Sequence, residues 1–109
     1  MTTVDVFSAI SNPVRRRMLE LLLLQPLTVN ALAAHFDLHR PAVSEHLQVL
    51  RNAGLVRDER RGRERYYHVE PAQLLEARGW FQPFEIYWRQ RLSALSAVLD
   101  DEKKKESYE

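Results

Sequence analysis

Residues 27–55 read LTVNALAAHFDLHRPAVSEHLQVLRNAGL, and the spacing of their apolar positions decides the fold. The segment divides into two short helices joined by a tight turn. In the second, from about Arg40 to Ala53, Val43, Leu47 and Leu50 fall within about 60° of one another at α-helical spacing. They form a stripe for burial. Pro41, Ser44, Glu45, Gln48 and Asn52 occupy the other side. A solvent-facing helix usually carries charge there. This one carries short hydrogen-bonding side chains, gathered near its N-terminus, where a recognition helix meets base edges in a DNA major groove. An ordinary solvated face is the competing explanation.

The boundaries of both helices are legible. Gly54 fits the C′ position, where a left-handed backbone is needed, and Leu55 at C″ can then touch Leu50, the contact that accompanies a Schellman stop. Thr28 is a good N-cap, and Leu27 before it can staple onto Leu32. Leu32, His35 and Phe36 continue the inward face of the first helix. Phe36-Asp37-Leu38-His39 is short enough to set the two helices at a steep angle.

After Leu55 the period changes from helical to alternating. Val56–Arg60 and Arg63–Val69 read as two strands around Arg61-Gly62, where glycine supplies positive φ. Tyr67 and Val69 point to the core, and Tyr66 and His68 to the other face. Arg60, Arg61, Arg63 and Arg65 against Glu64 give a net +3 within six residues. Arginine suits phosphate and narrow minor grooves. A charged edge that blocks sheet aggregation is the alternative.

Upstream, Thr3 to Ile10 reads as a short helix capped by Thr3, with Val4, Phe7 and Ile10 at three-residue spacing. Asn12-Pro13 opens the next helix, with asparagine as N-cap and proline at N1. It runs to about Leu24, with Met18, Leu19, Leu22 and Leu23 as its core side. Arg15, Arg16 and Arg17 sit near its start, where the helix dipole disfavours cations. That placement points to an external anion or a carboxylate partner, with a solvated cluster as the plainer reading.

Downstream, Pro71 starts a helix through about Arg78, ended by Gly79. A long final helix follows from Trp80, or from Gln82 if Pro83 is to lie in the first turn, to Asp101. Trp80, Phe84, Trp88, Leu92, Leu95 and Leu99 form its stripe, widened by Ile86, Tyr87, Ala94 and Val98. A helix this apolar is expected to pack one side on the domain and the other on a second copy. Binding of a small apolar ligand to its aromatic cluster is the alternative. Residues 1–101 read as one domain and residues 102–109 as a charged, fraying tail.

From Leu38 through Val56, with PAVSEHLQVLRNAGLV and the pattern V-S-x-H-L-x-x-L-x-x-x-G-L-V, the sequence strongly resembles the ArsR/SmtB family of bacterial winged helix-turn-helix repressors. The resemblance extends over roughly Val4 to Asp101. It implies a mostly α fold with a small β-hairpin, a homodimer formed through the N- and C-terminal helices, and repression by DNA binding in the cytoplasm. The N-terminal helix then belongs to the dimer interface, and Arg16 or Arg17 can touch phosphate. The Trp80, Phe84, Trp88 pattern resembles metal-independent members, sometimes grouped as autorepressors. His39 stands where the family usually has a serine cap.

Composition sets the bounds. The chain has 109 residues, 45% of them apolar, which suits one small domain. It has no cysteine, which excludes disulfides and thiolate metal sites. The histidines His35 and His39 are separated by turn residues, and the final helix has no histidine, so no metal or other cofactor is expected. The longest apolar run, Leu21–Leu24, is far short of a membrane span, and no signal pattern opens the chain. The three glycines are all turn or cap residues, leaving no phosphate-cradling loop, and Ser44 and His46 do not face each other. Enzymatic chemistry is therefore not expected.

The expected function is a dimeric, sequence-specific repressor of double-stranded DNA. Arg40, Pro41, Ser44, Glu45 and Gln48 would enter the major groove, with Ser44, Glu45 and Gln48 at base edges and Arg40 on guanine or phosphate. Arg60, Arg61, Arg63 and Arg65 would hold backbone or minor groove. Val4, Phe7, Ile10, Trp88, Leu92, Leu95 and Leu99 would form the dimer interface. The rivals are a winged-helix protein-interaction module, against which the arginine-rich hairpin speaks, a repressor released by a small apolar ligand (a small-molecule effector) at the C-terminal aromatic cluster, and a repressor without a ligand whose activity is set by abundance or a partner protein.

Overall fold

The computed structural model describes residues 5–107. Among these the order of elements is α1 (Val6–Ala9), α2 (Pro13–Leu24), α3 (Val29–Ala33), α4 (Arg40–Asn52), β1 (Val56–Arg61), β2 (Glu64–Val69) and α5 (Ala72–Ser107). Helices dominate, the one sheet is the β1–β2 hairpin, and the architecture is that of a winged helix-turn-helix. Two compact units divide after Ala77. The first holds the helix-turn-helix, the hairpin and the start of α5; the second is the rest of α5.

The first unit is built around an entirely apolar core in which Met18, Leu32, Val43, Leu47, Leu50 and Leu55 are fully buried. Each such side chain contributes about 2 kcal/mol by leaving water. The Val43, Leu47, Leu50 stripe is therefore the buried side of α4. On α2 the buried residues are Met18, Leu19, Leu21 and Leu22, whereas Leu23, expected inside, is 70% exposed. Leu21 and Leu23 flank the Met18, Leu19, Leu22 stripe at similar angles, roughly 105° and 95° from its centre, so packing against neighbouring elements, not helical phase, selects Leu21. His35, also expected inside, is exposed because α3 ends at Ala33 and residues 34–37 leave the helical phase.

Side-chain caps set the helix starts. Asn12 Oδ1 accepts from the Val14 and Arg15 amides at 2.8 and 3.2 Å. Thr28 Oγ1 accepts from Ala31 N at 3.1 Å. For α1 the cap is Asp5, whose Oδ1 accepts from Phe7 N at 3.3 Å; the expected cap Thr3 and the neighbouring Val4 lie outside the described residues. Phe7 and Ile10 are partly buried against the chain's own core.

The arginines at the start of α2 also have structural work. Arg15 donates through Nε to Ala9 O at 2.7 Å and through Nη2 to Ser8 O at 3.2 Å, and Arg16 donates to Ile10 O at 2.8 Å. They reach carbonyls at the end of α1, of which Ser8 O also accepts from Ser11 N at 3.2 Å. Arg17 pairs with Glu20 at 3.0 Å. Arg15 Nη1 also lies 3.3 Å from His46 Nδ1 of α4, so the partners of Arg15 and Arg16 are carbonyl dipoles and an imidazole ring rather than an anion.

The end of α4 has the hydrogen bonds of a Schellman stop: Leu55 N donates to Leu50 O and Gly54 N to Arg51 O, both at 2.9 Å, with Gly54 at φ +75°. The chain turns directly into β1. The hairpin pairs Val56 with Val69 and ends with Arg61 opposite Glu64. Its turn is therefore Gly62-Arg63, one residue later than Arg61-Gly62. Gly62 takes φ +63° while Arg63 stays at negative φ, as a type II′ turn requires. The connection into α3 adds an isolated antiparallel bridge: Leu27 N donates to Tyr67 O at 3.2 Å and Tyr67 N to Leu27 O at 2.8 Å.

α5 departs most from the sequence expectation. It is one helix through Gly79, Pro83 and the lysine run to Ser107, not two helices followed by a frayed tail. Gly79 does not stop it, because a C′ glycine works through positive φ, which among the described glycines only Gly54 and Gly62 adopt. Pro83 loses one backbone hydrogen bond at a cost of about 3 kcal/mol but leaves the turns on either side intact. Lys104 and Lys105 in the last turn complement the helix dipole. Among the described residues no helix is long and apolar enough to cross a membrane.

Two glycine substitutions should have opposite signs in urea unfolding. Gly54→Ala forces a side chain into positive φ with its Cβ 3.2 Å from Gln73 Cγ, and should cost about 1–3 kcal/mol. Gly79→Ala meets open space on a helix and should gain about 0.5–1 kcal/mol. Equal effects would contradict the backbone assignment.

Candidate nucleic-acid interface

The exposed face of α4 follows from the burial of its opposite side. With Val43, Leu47 and Leu50 inside, Arg40, Pro41, Ser44, Glu45 and Gln48 are all exposed on α4. Gln48 Nε2 donates to Asn52 Oδ1 at 2.9 Å. This bond orients the Gln48 amide and leaves its carbonyl and one N–H available for a bidentate contact. His39 has the extended backbone of an N-cap, φ −73° and ψ 151°, but makes no capping hydrogen bond. The imidazole thus leaves the first turn of α4 without a side-chain cap.

The hairpin has two electrically different faces. On the outer one, Glu59 lies 3.2 Å from Arg61 Nε, 3.6 Å from Arg57 and 3.1 Å from His68 Nε2, and Arg57 pairs with Glu70 at 2.6 Å. The hydrogen bond and charge of Arg61 hold the Glu59 carboxyl below the usual carboxylate range. Arg61 also sits 5.0 Å from the Tyr66 ring centre. Tyr66 donates its hydroxyl to Glu64 at 2.9 Å, which pushes the phenol above its ordinary value.

On the inner face Asp58 is 15% exposed and lies between Arg51 Nε at 3.4 Å and Arg65 Nε at 3.3 Å. Because Arg51 belongs to α4, this carboxylate ties the hairpin to the recognition helix. It also offsets the like-charge pair formed by Arg60 opposite Arg65. Sequence reading missed Asp58. The hairpin register would have found it, since Arg65 is its diagonal neighbour across the strands.

The four arginines expected to act alike therefore differ. Arg61 and Arg65 are paired with carboxylates. Arg60 donates to Gly62 O at 3.3 Å and keeps its charge uncompensated. Arg63, like Arg40, has no hydrogen-bond, ion-pair or ring partner among the described residues. Arg40 and Ser44 from α4 and Arg63, Glu64 and Arg65 from the hairpin line one open groove of about 440 Å³, with Asn30 of α3 on its wall. The tertiary structure thus brings four of the nine expected DNA-binding residues to one concave surface. Pro41, Glu45 and Gln48 lie outside that groove on exposed positions of α4, and Arg60 and Arg61 on exposed positions of β1.

The residues expected at the dimer interface on α5 are half exposed or more in the single chain: Trp88 51%, Leu92 66%, Leu95 55% and Leu99 53%. Trp80, Phe84 and Trp88 stack in sequence, with ring centres 5.0 and 6.2 Å apart. Among the described residues no three histidine, aspartate or glutamate side chains gather as a metal-ligand set.

An apolar-backed helix presenting a polar N-terminal face, beside a cationic hairpin, defines a winged helix-turn-helix transcriptional regulator. Residues 12–58 match the family described as "Bacterial regulatory protein, arsR family". The chain is 36% identical over 80 residues to the transcriptional repressor SdpR of Bacillus subtilis, covering 73% of this chain and 89% of that protein. It is 34% identical over 96 residues to the HTH-type transcriptional regulator Rv2034 of Mycobacterium tuberculosis, covering 88% and 87%. The crystal structure of a "possible transcriptional regulator for arsenical resistance" superposes with a TM-score of 0.71 at 44% identity, covering 83% of this chain and 94% of that one. The chain belongs to the ArsR family, whose members are transcriptional regulators and not enzymes.

His39→Ser places an oxygen at a position whose backbone already suits a cap. It should raise stability by about 0.5–1 kcal/mol, read as an upward shift of the urea midpoint. A fall would mean that the imidazole makes a stabilising contact that serine cannot replace.

Proposed function

We propose that this chain is a sequence-specific, double-stranded DNA-binding repressor acting as a homodimer on a palindromic operator. The observation that carries this reading is the shared groove, in which the exposed N-terminal residues of α4 and the hairpin cations converge. The relative named a transcriptional repressor supports the sign of regulation. Ser44, Glu45 and Gln48 read base edges: glutamate can accept from a cytosine amino group and glutamine can pair with adenine. Pro41 sits beside them in the major groove, and Arg40 reaches guanine or phosphate. Arg60, Arg61, Arg63 and Arg65 hold backbone or minor groove, Arg61 and Arg65 by sharing their charge with Glu59 and Asp58. In the dimer, Trp88, Leu92, Leu95 and Leu99 of α5 pack on a second copy together with Phe7 and Ile10. A large exposed apolar stripe is what an isologous interface buries.

Selection of bound duplexes from a random DNA library at two salt concentrations tests the reading. The expected product is a palindrome with half-sites about one helical turn apart. Recovery without a motif, vanishing at the higher salt, would mean phosphate attraction alone and would favour a protein-interaction module.

Leu95→Glu should convert the dimer to a monomer in sedimentation and abolish tight operator binding. A monomer with undiminished affinity would remove the homodimer from the reading.

A further inference from the structure

The groove between α4 and the hairpin decides a question that the sequence leaves open, namely what Arg40 touches. A helix lying in a major groove and a hairpin tip reaching the adjacent minor groove are separated by one sugar–phosphate ridge. That ridge passes through whatever cleft lies between the two elements. Here the cleft has Arg40 on its α4 wall and Arg63 on its hairpin wall. These two guanidinium groups have no partner among the described residues, whereas Arg65 in the same groove is paired with Asp58.

Two further observations make the arrangement costly without a ligand. Arg40 is the first residue of α4, where the helix dipole repels a cation, and among the described residues no carboxylate forms an ion pair with it. Nor does the His39 side chain cap the helix there. A cation kept at an unfavourable helix position and left unpaired is a local conflict of the kind that marks a functional contact. Glu64, the one acidic residue on the groove wall, is held by the Tyr66 hydroxyl. Its charge opposes an anion in the groove without cancelling either unpaired arginine.

We infer that Arg40 and Arg63 form a two-sided clamp on one backbone phosphate per half-site, so that Arg40 positions the recognition helix and does not read a base. The inference rests on the DNA-binding reading above and deepens it. The clamp converts two elements of the fold into a calliper across one strand. Bidentate guanidinium–phosphate geometry from both sides fixes how far α4 enters the groove. Base selection is then left to Ser44, Glu45 and Gln48.

The test uses the full chain and its selected operator. Arg40→Ala and Arg63→Ala should each weaken binding about tenfold or more, a charge-assisted hydrogen bond's worth. The loss should be the same factor on the operator and on singly mismatched duplexes, and the salt slope should fall by about one unit per half-site. A single uncharged methylphosphonate linkage per half-site, scanned along the operator, should have one position at which both substitutions lose their effect. Glu64→Gln should tighten binding, a gain that a misfolded variant cannot produce. Relaxed preference at one base pair with an unchanged salt slope for Arg40→Ala would overturn the clamp and make Arg40 a base reader. So would two different neutral linkages silencing the two arginines. If the wild-type chain selects no motif at all, the DNA-reading function itself fails, and the clamp with it.

Discussion

The burial of Val43, Leu47 and Leu50 is the constraint on which the interface depends. Three side chains on one stripe fix the rotation of α4 about its axis, and rotation alone decides which residues face outward. The Schellman stop at Gly54 then fixes where the helix ends, and Leu55 returns at once to the core. Because β1 begins at the next residue, the position of the hairpin is set by the same few contacts. Recognition helix and hairpin are one construction: the end of the first anchors the start of the second, and Asp58 fastens them side by side through Arg51 and Arg65.

Charge in the hairpin is organised by face rather than by amount. The strands and their turn hold five arginines against three acidic residues, a modest excess. Cross-strand register places Glu59 among Arg57, Arg61 and His68 on the outside and Asp58 beside Arg65 on the inside. Among the described residues, what survives uncompensated in the hairpin is Arg63 at the turn and Arg60 on the second rung from it. A positive hairpin that neutralised itself completely would have no field to offer DNA. One with every arginine unpaired would repel itself across the Arg60–Arg65 rung.

The arginines of α2 show why local electrostatics can mislead. A cluster of cations at a helix start looks like a request for an anion. The end of α1 meets that request with carbonyl oxygens from Ser8, Ala9 and Ile10, an arrangement visible only when two consecutive helices are placed in space. The long α5 shows the converse. Gly79 and Pro83 look like punctuation, yet punctuation acts through backbone geometry, and Gly79 keeps negative φ while Pro83 costs only one rung of the ladder.

What the sequence by itself determined is the part governed by local chemistry and short periods. The start and end of α4, the caps Asn12 and Thr28, the alternation that makes Tyr67 and Val69 inward, and the glycine at the hairpin turn all arise from neighbours a few residues apart. So do the polar face of α4 and the resemblance of residues 38–56 to ArsR regulators. The tertiary structure alone decided which charges remain free, because pairing across strands and between helices joins residues far apart in the chain. It decided that Arg15 and Arg16 cap α1, that Leu27 bridges to Tyr67, and that Leu21 rather than Leu23 is buried. It also brought Arg40 and Arg63, more than twenty residues apart, to one groove. Helical and strand periods fix directions about an axis. They carry no information about distance between axes, and a site assembled from two elements exists only once that distance is set.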